Sequence, residues 1–188
     1  GIGYTYTIGL GGTAICSLID KKLKPMLIGT DPTRISQLWE KMWWRLHYVG
    51  RGGLVSFAIA AVDIALWDLK GRCENQPLWK LLGGYSGQAK AYAGGIDLQL
   101  SQDELLEQTQ KNLENGFRAI KMKVGSPNLR EDVERVAAVR ELIGPDMPLM
   151  VDANMRWTVE TAIKAAQRFR EHDVYWLEEP TIPDNFEG

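Results

Sequence analysis

Cysteine is nearly absent: the 188 residues hold only Cys16 and Cys73. Neither lies in a CxxC or a Cys/His zinc spacing, which excludes a disulfide framework and a cysteine-based zinc site and makes a reducing cytoplasm the expected compartment. An excess of one charge is also lacking. The 22 Lys and Arg against 24 Asp and Glu leave a formal net charge of -2, so no basic field recruits nucleic acid or an anionic membrane surface, and neither is expected as a partner. Long apolar runs are missing too. The most apolar stretch, Leu54 to Leu69, is interrupted by Asp63 and Asp68 and is too short to span a bilayer, and no charged-then-apolar signal segment opens the chain. A soluble, unexported protein is the expectation. What remains, 45% hydrophobic and 24% charged residues, is ordinary globular composition with enough apolar material for a substantial core.

The opening Gly1-Ile2-Gly3-Tyr4-Thr5-Tyr6-Thr7 alternates like a strand already under way with no initiator methionine, so residues are expected upstream of it. Helical patterns follow. Ile15, Leu18, Ile19 and Leu23 recur at helical spacing, and a second helix is expected to open at Asp31-Pro32 with a stripe of Ile35, Leu38, Trp39, Met42 and Leu46. Leu54 to Leu69, apolar almost all round and stopping at Gly71, reads as a helix buried between two layers. From residue 88 the rhythm becomes βα. Strands are expected over 89–94, 119–124, 149–154 and 174–179, with helices near 102–115, 131–143 and 158–171 between them. The expected division is a partial capping domain of a strand plus helices over 1–87 and the first half of a barrel over 88–188.

Repeated βα units imply a parallel sheet, and side-chain alternation chooses its form. In 119–124, Ile120, Met122 and Val124 face one way, and Lys121 and Lys123 the other. Leu149, Val151 and Ala153 likewise oppose Met150, Asp152 and Asn154, and Tyr175 and Leu177 oppose Trp176 and Glu178. One face suits packing under helices; the other carries charge toward the carboxyl end of each strand. That is the layout of a (β/α)8 barrel interior with its site at the mouth, whereas a doubly wound sheet would bury those charges under helices.

Four ionisable residues therefore converge: Lys121, Lys123, Asp152 and Glu178. The steps of 29 residues from Lys123 to Asp152 and 26 from Asp152 to Glu178 are each one βα unit. A single lysine near a strand end is ordinarily a solvated rim charge; two carboxylates and two ammonium groups on one face are costly to desolvate unless they pair or bind an ion.

Ile120-Lys121-Met122-Lys123-Val124, Val151-Asp152-Ala153-Asn154 and Trp176-Leu177-Glu178-Glu179-Pro180 resemble the Lys-x-Lys, Asp-x-Asn and Glu-Glu-Pro motifs of the mandelate racemase subgroup of the enolase superfamily. Gly52-Gly53, Asp63-Ile64-Ala65-Leu66-Trp67-Asp68, Gln76-Pro77-Leu78 and Leu81-Leu82-Gly83-Gly84 resemble that family's link from capping domain to barrel. The resemblance implies abstraction of the proton alpha to a carboxylate. Its loss builds a second negative charge on an enediolate, and Mg²⁺, which favours oxygen ligands in octahedral geometry, is the implied cofactor. By resemblance, Asp152 and Glu178 are metal ligands, Lys123 is the base, and Lys121 tunes it and contacts the substrate carboxylate. Free lysine titrates at about 10.4, so a base of this type depends on a neighbouring cation to disfavour its charged form. Asn154 is implied beside the metal, orienting substrate. His47, in a capping-domain loop, and Tyr4 are candidates for the substrate pocket. Glu179, of opposite parity to Glu178, reads as structural, His172 as a solvated helix-end residue, and Trp39, Trp43 and Trp44 as core and interface.

The family's third metal carboxylate and the subgroup's His base would fall beyond Gly188, and a full barrel needs about 250 residues. The chain is expected to be a truncated piece of a homo-oligomeric parent, inactive and poorly soluble alone because four strands leave open edges. For the parent, the leading expectation is a hydro-lyase that dehydrates a sugar acid to a 2-keto-3-deoxy acid. The alternatives are a racemase or epimerase of a 2-hydroxy acid and, from another class, a non-catalytic scaffold.

Overall fold

The computed structural model describes residues 1–188, which form two compact units, Gly1–Gln88 and Ala89–Gly188. No helix is long and apolar enough to cross a membrane.

The first unit is helical. Helix α1 (Gly12–Leu18) continues through a π-helical turn (Ile19–Leu23) into α2 (Lys24–Leu27), followed by α3 (Ile35–Leu46), α4 (Leu54–Cys73) and α5 (Leu78–Leu81). The wide turn closes with Lys24 N–H donating to the Ile19 carbonyl, just before Pro25, which has no N–H to give. Ile15, Leu23, Met42, Leu46, Val55, Ala58 and Ile59 form the core.

Four expectations are corrected here. Residues 1–7 belong to no helix or sheet. They lie along α4, where Ile2 N–H donates to Asp68 Oδ2 at 2.7 Å. Gly1 and Gly3 come so close to the helix that a Cβ on either would sit 1.8 Å from the Ala65 carbonyl oxygen or 1.9 Å from that of Ala61. Helix α3 starts at Ile35; Asp31 instead accepts from Thr33 N at 2.9 Å and Thr33 Oγ at 2.7 Å, making a turn before the helix. Gly71 does not end α4, which continues to Cys73. Its bare backbone lets the chain fold back, so that Gln76 N–H donates to the Gly71 carbonyl at 2.9 Å. One side of α4, with Leu54, Phe57 and Ile64, is exposed rather than buried between layers.

The second unit runs β1 (Ala93–Gly94), α6 (Gln102–Glu114), β2 (Ile120–Lys123), α7 (Leu129–Ile143), β3 (Leu149–Asp152), α8 (Val159–Phe169), a 3-10 turn (Arg170–His172) and β4 (Val174–Glu178). The four strands are parallel and lie in sequence order. A doubly wound sheet reverses its order at a switch point; sequential order with a helix between each strand and the next is the arc of a (β/α)8 barrel. Side-chain caps start the helices: Ser101 and Glu104 form a reciprocal capping box on α6, Asn128 accepts from Arg130 N on α7, and Thr158 from Thr161 N on α8.

Ile120 and Met122 of β2 with Val124 just after it, and Leu149 and Val151 of β3 with Ala153 just after it, pack with Val136, Val139, Ala165 and Phe169 of the helices, as alternation requires. Ile163 of α8 is exposed, and the buried residues of that helix are Ala162, Ala165 and Phe169. In β4 the alternation breaks. Leu149 pairs with Val174 but Met150 pairs with Trp176, so Tyr175 is the extra residue of a β-bulge, 69% exposed instead of sharing the Leu177 face.

Arg140 ties the α7 end to the approach of β4. Its guanidinium donates to the carbonyls of Gly144 (2.8 Å), Met147 (2.7 Å), His172 (2.9 Å) and Asp173 (3.0 Å). Arg140→Met should lower the unfolding free energy of the protein by about 2–4 kcal/mol in urea titration, because several partly buried carbonyls lose a charged donor. A loss below about 0.5 kcal/mol would mean that water replaces the arginine freely.

Candidate active site

Three adjacent strands build the site. Lys123 is the register partner of Asp152, and Asp152 of Glu178. With strands about 4.8 Å apart, these three side chains stand in one row at the carboxyl ends. Lys121 lies one side-chain layer below on the same face of β2. All four are on the face away from the helical core, as expected.

The charges form an alternating chain. Lys123 Nζ donates to Asp152 Oδ2 at 2.7 Å, Lys121 Nζ to the same oxygen at 3.4 Å, and Lys121 Nζ to both oxygens of Glu178 at 2.9 and 3.0 Å. Trp176 Nε1 adds a donor to Glu178 Oε2 at 3.2 Å, and the Tyr92 ring lies 5.5 Å from the Lys121 ammonium. Asp152 is buried. Burial pushes its carboxyl up, but the Lys123 hydrogen bond, the Asn154 N–H and the two ammonium charges outweigh that and hold it below the ordinary carboxylate range. Burial likewise works against the Lys121 ammonium, while the hydrogen bond and charge of Glu178 and the charge of Asp152 hold it above the usual lysine value. Lys121 is therefore firmly charged, suited to binding an anion rather than accepting a proton.

Asn154 adopts a left-handed backbone, φ 45°, with its N–H on Asp152 Oδ1 at 3.0 Å and its side-chain amide donating to Glu179 Oε2 at 3.3 Å. It thus buttresses Asp152 and joins the ends of β3 and β4. Tyr4 and His47 belong to the first unit. Tyr4 is exposed. His47 follows α3 with its ring stacked on Trp43 at 5.4 Å and edge-on to Trp44 at 4.9 Å. Its Nδ1 lies 2.9 Å from the Trp44 carbonyl oxygen, which only accepts, so Nδ1 carries a proton.

Two buried carboxylates beside the row gave no signal in the sequence. Asp97, in the loop after β1, accepts the Lys123 N–H at 2.7 Å. Asp132, in the first turn of α7, accepts the N–H groups of Gly125 and Ser126, each at 3.0 Å. An aspartate after Gly-Gly reads as a turn residue, and one in a first helical turn as a dipole partner.

The donor set fits a hard divalent cation. Asp152 and Glu178 offer only oxygens, and both reach one shared cation, the Lys121 ammonium, within 3.4 Å. The two would hold two positions of an octahedral magnesium shell.

Four parallel strands in sequence order, with their charges gathered at the carboxyl ends, define a (β/α)-barrel protein whose site lies where that fold keeps its chemistry. Residues 1–83 match the mandelate racemase / muconate lactonizing enzyme N-terminal domain and residues 104–188 the enolase C-terminal domain-like family. The chain belongs to the mandelate racemase group of the enolase superfamily. It is 56% identical over its whole length to a 3,6-anhydro-alpha-L-galactonate cycloisomerase of Streptomyces coelicolor, covering 52% of that protein. It is 40% identical to an L-talarate/galactarate dehydratase of Salmonella typhimurium, again over all of this chain and 47% of the relative. A racemase from Streptomyces coelicolor crystallised with bound magnesium superposes with a TM-score of 0.94 at 57% identity, over 97% of this chain and 55% of that one. The chain thus spans about half the length of the curated relatives it matches.

The loop after Lys123 packs tightly against the loop after Asp152. Gly125 has φ 108°, and a Cβ there would lie 2.7 Å from Arg156 Cδ and 3.0 Å from the Ala153 carbonyl oxygen. Gly125→Ala should destabilise the protein by about 1–3 kcal/mol in chemical denaturation; an unchanged midpoint would show that the two loops move apart freely.

Proposed function

We propose that the protein carrying this chain catalyses magnesium-dependent abstraction of the proton alpha to the carboxylate of a sugar acid, followed by loss of an oxygen from the beta carbon. The observation that carries the reading is the Lys123–Asp152–Lys121–Glu178 chain at the carboxyl ends of three adjacent strands. Asp152 and Glu178 hold the metal, which when bound stabilises the charge that develops on the substrate carboxylate. Lys121, charged, binds one carboxylate oxygen. Lys123 Nζ takes the C2 proton. The electron pair moves into a C2–C3 enol as the C3–O bond breaks, and tautomerisation leaves a 2-keto-3-deoxy acid. Asn154 keeps the Asp152 loop in place and faces the substrate.

The leaving group alone separates two outcomes. With a free hydroxyl on C3 the oxygen departs as water, carrying a proton equivalent to the one that Lys123 took from C2, and the reaction is a dehydration. With a 3,6-anhydro bridge the same oxygen remains attached through C6, the ring opens, and the reaction is an isomerisation. The high identity to a protein named for a 3,6-anhydro sugar acid favours the bridged substrate. Racemisation is the second reading, supported by the structural neighbour named a racemase; it would return the proton to the opposite face with no C–O cleavage.

The parent protein, assayed with Mg²⁺ on aldonates, aldarates and 3,6-anhydroaldonates, should release 2-keto-3-deoxy acid, detected as its semicarbazone. Lys123→Ala should cut kcat by about 10²–10⁴-fold. Asp152→Asn and Glu178→Gln should each weaken Mg²⁺ binding by calorimetry about tenfold or more. Loss of optical rotation without keto acid would establish the racemase instead, and undiminished turnover in Lys123→Ala would remove that lysine from the role of base.

A further inference from the structure

Strand β2 carries both lysines, yet its neighbour β1 ends opposite Lys121 and stops short of Lys123. The β1–β2 register covers only Ala93 with Ile120 and Gly94 with Lys121. On the other side, Ile120 N–H donates to the Pro148 carbonyl and Val124 N–H to the Asp152 carbonyl, each at 3.0 Å. Backbone N–H groups alternate sides along a strand, so that of Lys123 points away from β3, to the side where β1 has ended. An unpaired N–H beside a charged site would leave the end of β2 free to fray.

The place of the missing strand residue is taken by a side chain. Asp97 Oδ1 lies 2.7 Å from Lys123 N. Its second oxygen accepts from Gln108 Nε2 of α6 at 3.2 Å. Arg135 of α7 donates to the Asp97 carbonyl at 2.8 Å and to the Leu100 carbonyl at 2.6 Å, so the loop is gripped from both helices. Asp97 is 1% exposed. A buried carboxylate is costly, and burial raises its pKa against the pull of these donors. A carboxylate accepts both the Lys123 N–H and the Gln108 amide, one on each oxygen, whereas an asparagine side chain has a single acceptor.

We infer that Asp97 is a positioning residue for the proposed base: by standing in for β1 it fixes the backbone of Lys123, and with it the line from which Nζ approaches the substrate. The inference rests on the reading of Lys123 as the base. The grip acts before substrate binds and touches neither carboxylate of the proposed metal pair, so it should appear in kcat and leave KM and Mg²⁺ affinity nearly unchanged. A displacement of about 1 Å at a reacting group costs about 10²-fold in rate.

The test uses the parent protein with Mg²⁺ and its sugar-acid substrate. Asp97→Ala should lower kcat by about 10²-fold while KM stays within about threefold, because the lost interaction is not a substrate contact. Asp97→Asn should stay within about threefold of wild type, since its carbonyl oxygen still accepts the Lys123 N–H. Asp97→Ala at wild-type kcat, or Asp97→Asn falling as far as the alanine variant, would overturn the inference. If Asp97→Ala does not fold, Asp97→Ser, whose hydroxyl is one bond too short, replaces it. Hydrogen exchange at the Lys123 amide of the unsubstituted protein is read independently: slow exchange is expected, and exchange at the rate of the exposed Ser86–Gln88 loop would overturn the grip. Lys123→Ala separates the two ideas. Full turnover in that variant sinks the base reading, whereas a dead Lys123→Ala beside a fully active Asp97→Ala sinks only the positioning role.

Discussion

The parallel register of β2, β3 and β4 is the constraint on which everything else depends. Because Lys123 stands opposite Asp152 and Asp152 opposite Glu178, three charged groups from distant segments share one layer. A slip of one residue would turn every side chain of the slipped strand to the other face, putting a charge among the helices and an apolar group at the mouth. The bulge at Tyr175 is part of this register. Counting from Leu149–Val174 without an extra residue, Leu177 would meet Asp152 and Glu178 would point into the helical core. The bulge is what sets Glu178 opposite Asp152.

Energetically the row is a compromise. Asp152 is almost fully enclosed, and burial by itself works against its charged form. The two ammonium groups and the Asn154 N–H reverse that. Lys121 serves both carboxylates at once, so removing one member strands the others in a partly desolvated place. Buried groups that are expensive for stability but mutually paired are what a functional site looks like against a scaffold whose other features agree with one another. The capped helices, the filled core and the Arg140 tie supply that agreement.

Much of this was legible in the sequence because a strand's period of two is simple. In 120–124 apolar and charged residues alternate, and in 149–154 Asp152 and Asn154 fall on the face opposite Leu149, Val151 and Ala153, so Lys121, Lys123 and Asp152 could be placed on one face without coordinates. Glu178 was reached by the same rule, although β4 does not obey it throughout; the bulge falls before Trp176 and leaves the Trp176–Glu178 parity intact. The rest was hidden where the determinant is non-local. Nothing in Ala89–Gly94 says that only two of its residues pair, so nothing says that an amide of β2 needs Asp97. Asp31-Pro32 carries a proper helix-start signal, yet Thr33 captures the carboxylate first. The alternating opening residues carry β-propensity, but propensity makes no strand without a partner, and α4 accepted the segment instead.

The central proposal is that this row of charges takes part in removing a proton alpha to a carboxylate with the help of magnesium. The most direct measurement is proton NMR of the C2 position of a sugar acid incubated with the parent protein in D₂O, using a substrate whose beta oxygen has been replaced so that elimination is blocked. The account predicts loss of the C2 proton signal with Mg²⁺ present and its retention after chelation. Retention of that signal with Mg²⁺ present and the substrate bound would contradict it.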